Sequence, residues 1–502
     1  MSAFSRRALL KNTGRLALAG GAVALSGPLL SGCSSGSAKS SGGGIGFQFM
    51  GNTNESDSGV VQDAMNAYLK SKGKDFSIVL SPVQNYSQAM TLAMAADSEA
   101  DVFFTAPWAN DYYRNVGSGN LLALDDLLPK YAPKLWKSMP SGVWDAARVN
   151  GKIYGVINQQ RFPKLWGFVV QQKLAEQHKL DVGAVTSFAE LEPFLAAVKQ
   201  SGNGITPWAT DLSSDCTVFH PELYGWDPVA SAYGIAVRYD DTGLTAFNMY
   251  DTPEFRTACA LIRGWQQKGY AVASPPSQGD MNARMSAGRI AVNSGQVAPT
   301  NPQYWQFPTL GKSLVPKPIL NTDGVCATLN GIRHNASRPE QTLEFLELLN
   351  SDKEFYNLMC FGVEGKHYVF TDKALGVVGP PAGQTAATSK WNPNMDWAFG
   401  NQFNAYYRDL ADAKAKRWQV EAQVNAKAVV SKAIGFSLDT TKVKTQVATV
   451  SAAMGEYLKP LMNGLVDPAN GLSTLLSRVD QAGLPAILKE VQAQLDKLKS
   501  AK

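Results

Sequence analysis

Apolar positions after residue 44 follow two alternating periods. Residues 45–49, 76–80 and 101–104 are short apolar runs of strand length. Between them, 59–70 sets Val60, Val61, Met65, Tyr68 and Leu69 at helical spacing, and 86–96 repeats that spacing. Strands alternating with helices of this length build right-handed βαβ units and a largely parallel sheet. Ligands of such sheets sit beyond the carboxyl ends of the strands. Those ends hold Asn54 and Glu55 in one loop and Trp108 and Asp111 in another.

The next pattern is a strand that stops, turns polar and resumes. Residues 152–156 and 165–170 are rich in Ile, Val, Tyr, Phe and Trp, whereas 158–164 carries amides, charges and a proline. A crossing between two lobes fits this pattern and puts Asn158, Gln159 and Gln160 on the floor of a cleft; a plain hairpin is the alternative. A second series of elements follows. Ser187-Phe188-Ala189-Glu190 and Ser337-Arg338-Pro339-Glu340 have the form of capping boxes, and Thr252 with Pro253 marks a third helix start. Residues 289–293 read as a strand ending at Gln296, and 324–329 as a strand or a second crossing. After a loop from residue 379 and the aromatic stretch 391–403, the chain reads as mostly helical to its end, with Leu461, Leu472, Leu475, Leu484 and Val491 among the packing positions.

Composition narrows the function classes. The 502 residues, 45% hydrophobic and 18% charged, suffice for a large core and two or three domains. The net charge of +5 owes four cations to the first 32 residues; without them 43 basic residues stand against 42 acidic ones, so no basic field for nucleic acid remains. Residues 1–32 read as a leader, with a basic start and an apolar run shorter than the roughly 20 residues of a membrane span. Within it, Ser5-Arg6-Arg7-Ala8-Leu9-Leu10-Lys11 resembles a twin-arginine export motif. Leu30-Ser31-Gly32-Cys33 resembles a lipobox, making Cys33 the expected lipidation site. Residues 33–44 then form a Gly/Ser tether that cannot bury apolar surface. Cys216, Cys259, Cys326 and Cys360 have no close pair and read as single buried thiols, with one or two disulfides as the alternative.

Catalytic signatures are sparse. The histidines His178, His220, His334 and His367 are scattered, and beyond residue 44 Cys-x-x-Cys, Gly-x-Ser-x-Gly and phosphate-loop patterns do not occur. No cofactor or metal site is indicated. Binding chemistry is better represented: sugars need aromatic plates beside planar acceptors and donors, and Trp108 with Asp111, Trp226, and Trp397 with Asn401 supply both. A glycoside hydrolase would use the same aromatic loops with two acids distant in sequence.

The leader, tether and βαβ start, Asn150-Gly151-Lys152-Ile153-Tyr154-Gly155-Val156, and Met285-Ser286-Ala287-Gly288-Arg289-Ile290-Ala291-Val292 together resemble extracellular solute-binding proteins of the sugar-binding type that serve ABC importers. Phe361-Gly362-Val363-Glu364-Gly365-Lys366-His367-Tyr368 and Phe399-Gly400-Asn401-Gln402-Phe403 are similar to the LplA-like lipoprotein branch. The resemblance implies an α/β, two-lobed periplasmic-binding-protein-like fold (type II) with extra C-terminal helices. It implies lobe I from 45–164 and 328–364, lobe II from 165–327 and 365–502, and crossings near 160–168, 324–329 and 361–368. It also implies a lipid-anchored monomer on the extracellular face of the cell membrane that captures a carbohydrate, without catalysis, and hands it to membrane permease subunits. A binder of a non-sugar solute such as a peptide is the alternative. Trp108-Ala109-Asn110-Asp111 resembles the Trp-Ala-x-Asp of maltose-binding proteins, whose Trp stacks on a sugar and whose Asp takes its hydroxyls. Asn54 and Glu55 fall where that group has polar contacts, and Gln296 stands where it has an aromatic.

Overall fold

The apolar runs of the first hundred described residues become one half of a sheet. The computed structural model describes residues 43–51, 54–95, 100–209, 217–271, 278–300 and 307–501. The leader, Cys33, most of the tether and Cys216 lie outside them. Strands Ile45–Met50, Ile78–Val83 and Val102–Thr105 pair in parallel. Val102–Thr105 is buried at all four positions, as expected of a parallel strand covered on both faces. Helix Ser58–Ser71 lays Val61, Met65 and Leu69 on this sheet, the stripe that its spacing predicts.

Two later strands complete the sheet. Leu329–Ile332 inserts antiparallel between Val102–Thr105 and Gly155–Ile157, giving the order Ile78–Val83, Ile45–Met50, Val102–Thr105, Leu329–Ile332, Gly155–Ile157. A second apolar core surrounds a four-stranded sheet ordered Thr309–Ser313, Trp166–Gln171, Ile290–Gln296, Thr206–Trp208. Gly167 is obligatory there, because a Cβ at that position would stand 1.9 Å from the Lys312 carbonyl oxygen of the neighbouring strand. Helices Lys444–Met462, Pro468–Ala482 and Leu484–Ala501 close the second core with Leu461, Leu472, Leu475, Leu484 and Val491 buried. The free thiols of Cys259, Cys326 and Cys360 are all buried.

Several local readings meet a different outcome. Thr252 does cap Pro253–Gln267 through a bond from the Phe255 amide. The Ser337 box does not form, because Ser337 spends its amide and hydroxyl on Asp101, and helix Pro339–Ser351 starts uncapped behind Arg338. At Ser187 only half a box forms: Glu190 reaches back to the Thr186 amide and to both hydroxyls. Gly324 lies in the one-turn helix Thr322–Val325 rather than in a strand.

The largest departure concerns the third crossing. Val378, Trp391, Ala398, Phe399, Ala405 and Trp418 are buried in the first core, and the second takes over only at Ala433 and Phe436. Passage between cores therefore falls near residues 425–436, not 361–368, and residues 365–418 belong with lobe I. Phe399 sets its ring edge against Phe47 and Phe49 at 6.2 and 5.2 Å, and Trp391 donates its indole N–H to Met359 at 3.0 Å. These partnerships hold the stretch on the first core.

Candidate functional site

The loop after Val102–Thr105 is built to present one ring outward. Ala106 and Ala109 bridge to each other, and Asn110 takes the left-handed conformation at φ 49°. The Thr105 hydroxyl donates to the Asn110 carbonyl at 2.6 Å, and the Asn110 side chain donates to Phe104 at 3.2 Å. Folded back in this way, the loop leaves Trp108 57% exposed. The indole is nonetheless fixed: its N–H donates to the Ala327 carbonyl at 2.7 Å, and its ring lies 5.8 Å from both Phe104 and Trp397. Asp111 accepts the Arg114 amide at 3.1 Å at the start of helix Tyr112–Gly117. A cavity of about 410 Å³ opens beside them, lined by Trp108, Asp111, Arg114, Asn115 and the Ser87–Thr91 face of the preceding helix. An exposed, immobilised indole beside a carboxylate can stack on an apolar sugar face and accept from its hydroxyls.

The other expected site residues divide. Trp397 packs on the first core beside Trp108, so it extends the same platform instead of facing it. Trp226 is 1% exposed among Phe219, Tyr224 and Phe247, and is a core residue of the second lobe, not a cleft plate. Asn54 donates to the Ala386 carbonyl at 3.2 Å, and Glu55 is buried at the start of the neighbouring turn. Gln296, exposed, ends its strand opposite Trp166.

Asn158, Gln159, Gln160 and Asn401 hold the crossing together. Asn158 is fully buried, donates to Ala398 at 3.0 Å and accepts from Asn330 at 2.8 Å. The Gln159 side chain donates to Ser138 and Asn350, while its backbone bridges to Asn401. Gln160 donates to the Thr328 hydroxyl of the second crossing at 2.8 Å. Asn401 caps the short turn Gln402–Asn404. With their polar groups engaged in this way, Asn158 and Gln159 form structure beneath the cleft rather than its lining.

Residues not singled out from the sequence tie the three crossings to one another. Asn425 on the third donates to the Gln160 carbonyl at 2.7 Å and accepts the Phe162 amide at 2.9 Å, gripping the first. Lys164 pairs with Asp323 of the second. Asp227 accepts from Asn321 at 3.2 Å and from Ser431 at 2.5 Å, joining the second to the third. A lone Asn or Asp carries no pattern that reveals such a role.

Beside this hinge lies a dry polar cluster. His220 stacks on Trp166 with ring centres 4.0 Å apart, its Nε2 3.1 Å from the Thr217 carbonyl and from the Ser294 hydroxyl. Burial, assisted by the Lys164 charge, pushes its pKa down to about 3, so the ring is neutral. Burial lifts Glu222 to about 7 despite the Lys164 charge, and its Oε2 has no hydrogen-bond partner. Asp227 is raised to about 6 by burial, against the bonds from Ser431 and Asn321. Among the described residues no three His, Cys, Asp or Glu side chains gather as metal ligands.

Comparison with known proteins gives this geometry a context. Residues 432–500, from the third crossing through the last helices, match the family described as Domain of unknown function (DUF3502). A carbohydrate ABC transporter substrate-binding protein of Streptococcus pneumoniae serotype 4 is 24% identical over 422 residues, 82% of each chain. The crystal structure of the N-glycan transport solute-binding protein NgtS from Streptococcus pneumoniae superposes with a TM-score of 0.79 at 20% identity, covering 91% of this chain and 99% of that one. Its complex with Man5GlcNAc gives 0.71 at 21% identity over the same shares. An extracellular solute-binding protein from Bifidobacterium longum subsp. infantis gives 0.64 at 16%, covering 91% of this chain and 98% of that one. The fold is that of the type II two-lobed solute-binding proteins, and the relatives are of the kind that the sequence resembles.

Proposed function

We propose that this chain is the substrate-binding component of an ABC importer and captures an oligosaccharide between its lobes. The observation that carries this reading is the Trp108 platform: a large ring more than half exposed, yet pinned by its own N–H and by two neighbouring rings, beside a carboxylate and a cavity. Exposing that much apolar surface is unfavourable unless a ligand covers it. The relatives named for carbohydrate transport, and the neighbour solved with Man5GlcNAc, support a glycan as that ligand. A thermal-shift screen of oligosaccharides that includes Man5GlcNAc tests it, because a ligand bound only by the native state raises the apparent melting temperature. Stabilisation without release of products is expected. Sustained turnover would replace the reading with a glycoside hydrolase, and silence across the panel would remove the carbohydrate.

The same reading extends to placement. Cys33 carries the lipid anchor, Arg6 and Arg7 direct export, and the body works as a monomer on the outer face of the cell membrane, where it meets its permease. Cys33→Ala should move the protein from the membrane fraction to the soluble one, since acyl chains supply the membrane affinity. Retention of that variant after a salt wash counts against the anchor.

A further inference from the structure

The cavity beside Trp108 is walled by the first lobe alone, with helix Tyr86–Ala95 on one side and residues 107–120 on the other. Its two ends are fixed against one strand. Trp108 donates to the Ala327 carbonyl just before strand Leu329–Ile332, and the Asn120 carbonyl accepts the His334 amide just after it. From residue 329 to residue 332 a strand rises about 10 Å. The cavity therefore starts at the platform and runs down the flank of the lobe, away from the second crossing. Its volume of about 410 Å³ lies within the range of about 300–1,000 Å³ usual for small-ligand sites.

Three asparagines in that wall are bonded head to tail. Asn110 Nδ2 donates to the Phe104 carbonyl at 3.2 Å. Asn115 Nδ2 donates to the carbonyl and to Oδ1 of Asn110 at 2.9 and 3.0 Å, and Asn120 Nδ2 donates to Asn115 Oδ1 at 3.0 Å. The direction of this ladder is forced. Main-chain carbonyls only accept, so the buried Asn110 and Asn115 must both turn their NH2 groups inward, and Asn120 must then donate as well. What remains at the outer end is Asn120 Oδ1, an acceptor with no donor among the described residues. The opposite wall is equally unusual. A surface helix ordinarily turns charges to water, but Tyr86–Ala95 has none and leaves Ser87, Thr91 and Ala95 exposed.

Resting on the carbohydrate reading above, we propose that this flank cavity is a second subsite, in which an outer unit or branch of the oligosaccharide leaves the Trp108 platform and gives a hydroxyl hydrogen to Asn120 Oδ1. Asn110 and Asn115 are positioning residues: they touch no sugar, but they decide that the amide at the open end presents its oxygen. The hydroxyls and small side chains of helix Tyr86–Ala95 cover the other side of that unit without clashing with it. Because one lobe builds the whole groove, its contribution is independent of lobe closure, and it favours long or branched ligands over short ones.

Calorimetric titration with Man5GlcNAc and Man1GlcNAc tests this, or, where neither binds, with the panel oligosaccharide that stabilises the wild type most and its disaccharide. The wild type should prefer the longer sugar. Asn120→Ala removes one acceptor and should weaken the longer sugar about fivefold while leaving the shorter one unchanged. Thr91→Phe fills the groove from the opposite wall without touching the ladder, and should likewise erode the preference; it decides the matter if the melting temperature shows that Asn120→Ala does not fold. A purely structural role for the ladder would weaken both sugars alike. Equal weakening of both, an unchanged preference in the variants, or equal wild-type affinity for the two lengths overturns the subsite and leaves the carbohydrate reading standing. A wild type that binds no member of the panel ends both.

Discussion

Trp108 and Glu222 are the two side chains whose surroundings most constrain what they do. Trp108 is exposed, so removing its ring should leave the fold nearly untouched while deleting a stacking face. Trp108→Ala should lose about 1–3 kcal/mol of oligosaccharide binding, measured by calorimetry, at an unchanged melting temperature. Glu222 is the reverse case, buried with one carboxyl oxygen unpartnered. Its folded pKa of about 7 lies above the ordinary 4.5. The stability that this group contributes is therefore complete below about pH 4.5 and is lost as pH rises through 7. Glu222→Gln should melt at the wild-type temperature near pH 4 and gain on the order of 3 kcal/mol near pH 8.5, read from denaturation at both pH values. His220 acts in the opposite sense, since its depressed pKa removes stability as pH falls from about 6.5 toward 3. The sequence expectation that Trp108 and Asp111 lie in the loop beyond a buried strand agrees with their position after Val102–Thr105, because the order of strands and helices is a local pattern. It misplaced Trp226, whose neighbours Gly225 and Asp227 look like loop residues. Gly225 ends a turn at φ 70°, but the ring it precedes turns inward.

At the scale of elements, the crossings are legible one at a time but not as a set. The polar interruption at 158–164 predicted the first, and 324–329 came near the second. The third depends on which core receives Trp391 and Phe399, and apolar character does not encode a partner. Asn425 shows the consequence, for its amide replaces a strand neighbour by bonding both Gln160 and Phe162. Asn425→Ala leaves that carbonyl and that amide unpaired in a part-buried place. About 1–3 kcal/mol of stability should be lost in urea denaturation. Asn425→Asp, which keeps the acceptor but not the donor, should recover only part of that loss. The βαβ start was fully legible because helix and strand periods are local. The Ser337 box failed because a buried carboxylate from elsewhere, Asp101, claimed its groups.

For the whole molecule, the C-terminal helices are part of the second lobe's core and not an appendage. Leu472, Leu475, Val479, Ile487, Val491 and Leu495 line its interior. A chain ended after residue 443 should bind a hydrophobic dye and lose cooperative melting of that lobe, whereas a detached helical region would leave both unchanged. The position of Leu329–Ile332 has a further consequence, in time rather than in space. The strand lies inside the first sheet, between Val102–Thr105 and Gly155–Ile157, although all four strands of the second sheet precede it in the chain. A nascent chain therefore emerges with three strands of the sheet on one side, the single strand Gly155–Ile157 on the other, and a gap between them. No amount of waiting fills that gap until residue 332 has been synthesised. Pairings between residues so distant in sequence are slow to find. The amino-terminal third must persist as an unfinished, sticky intermediate, so a chaperone that shields residues 102–105 and 155–157 should raise the yield more than one acting on the last helices.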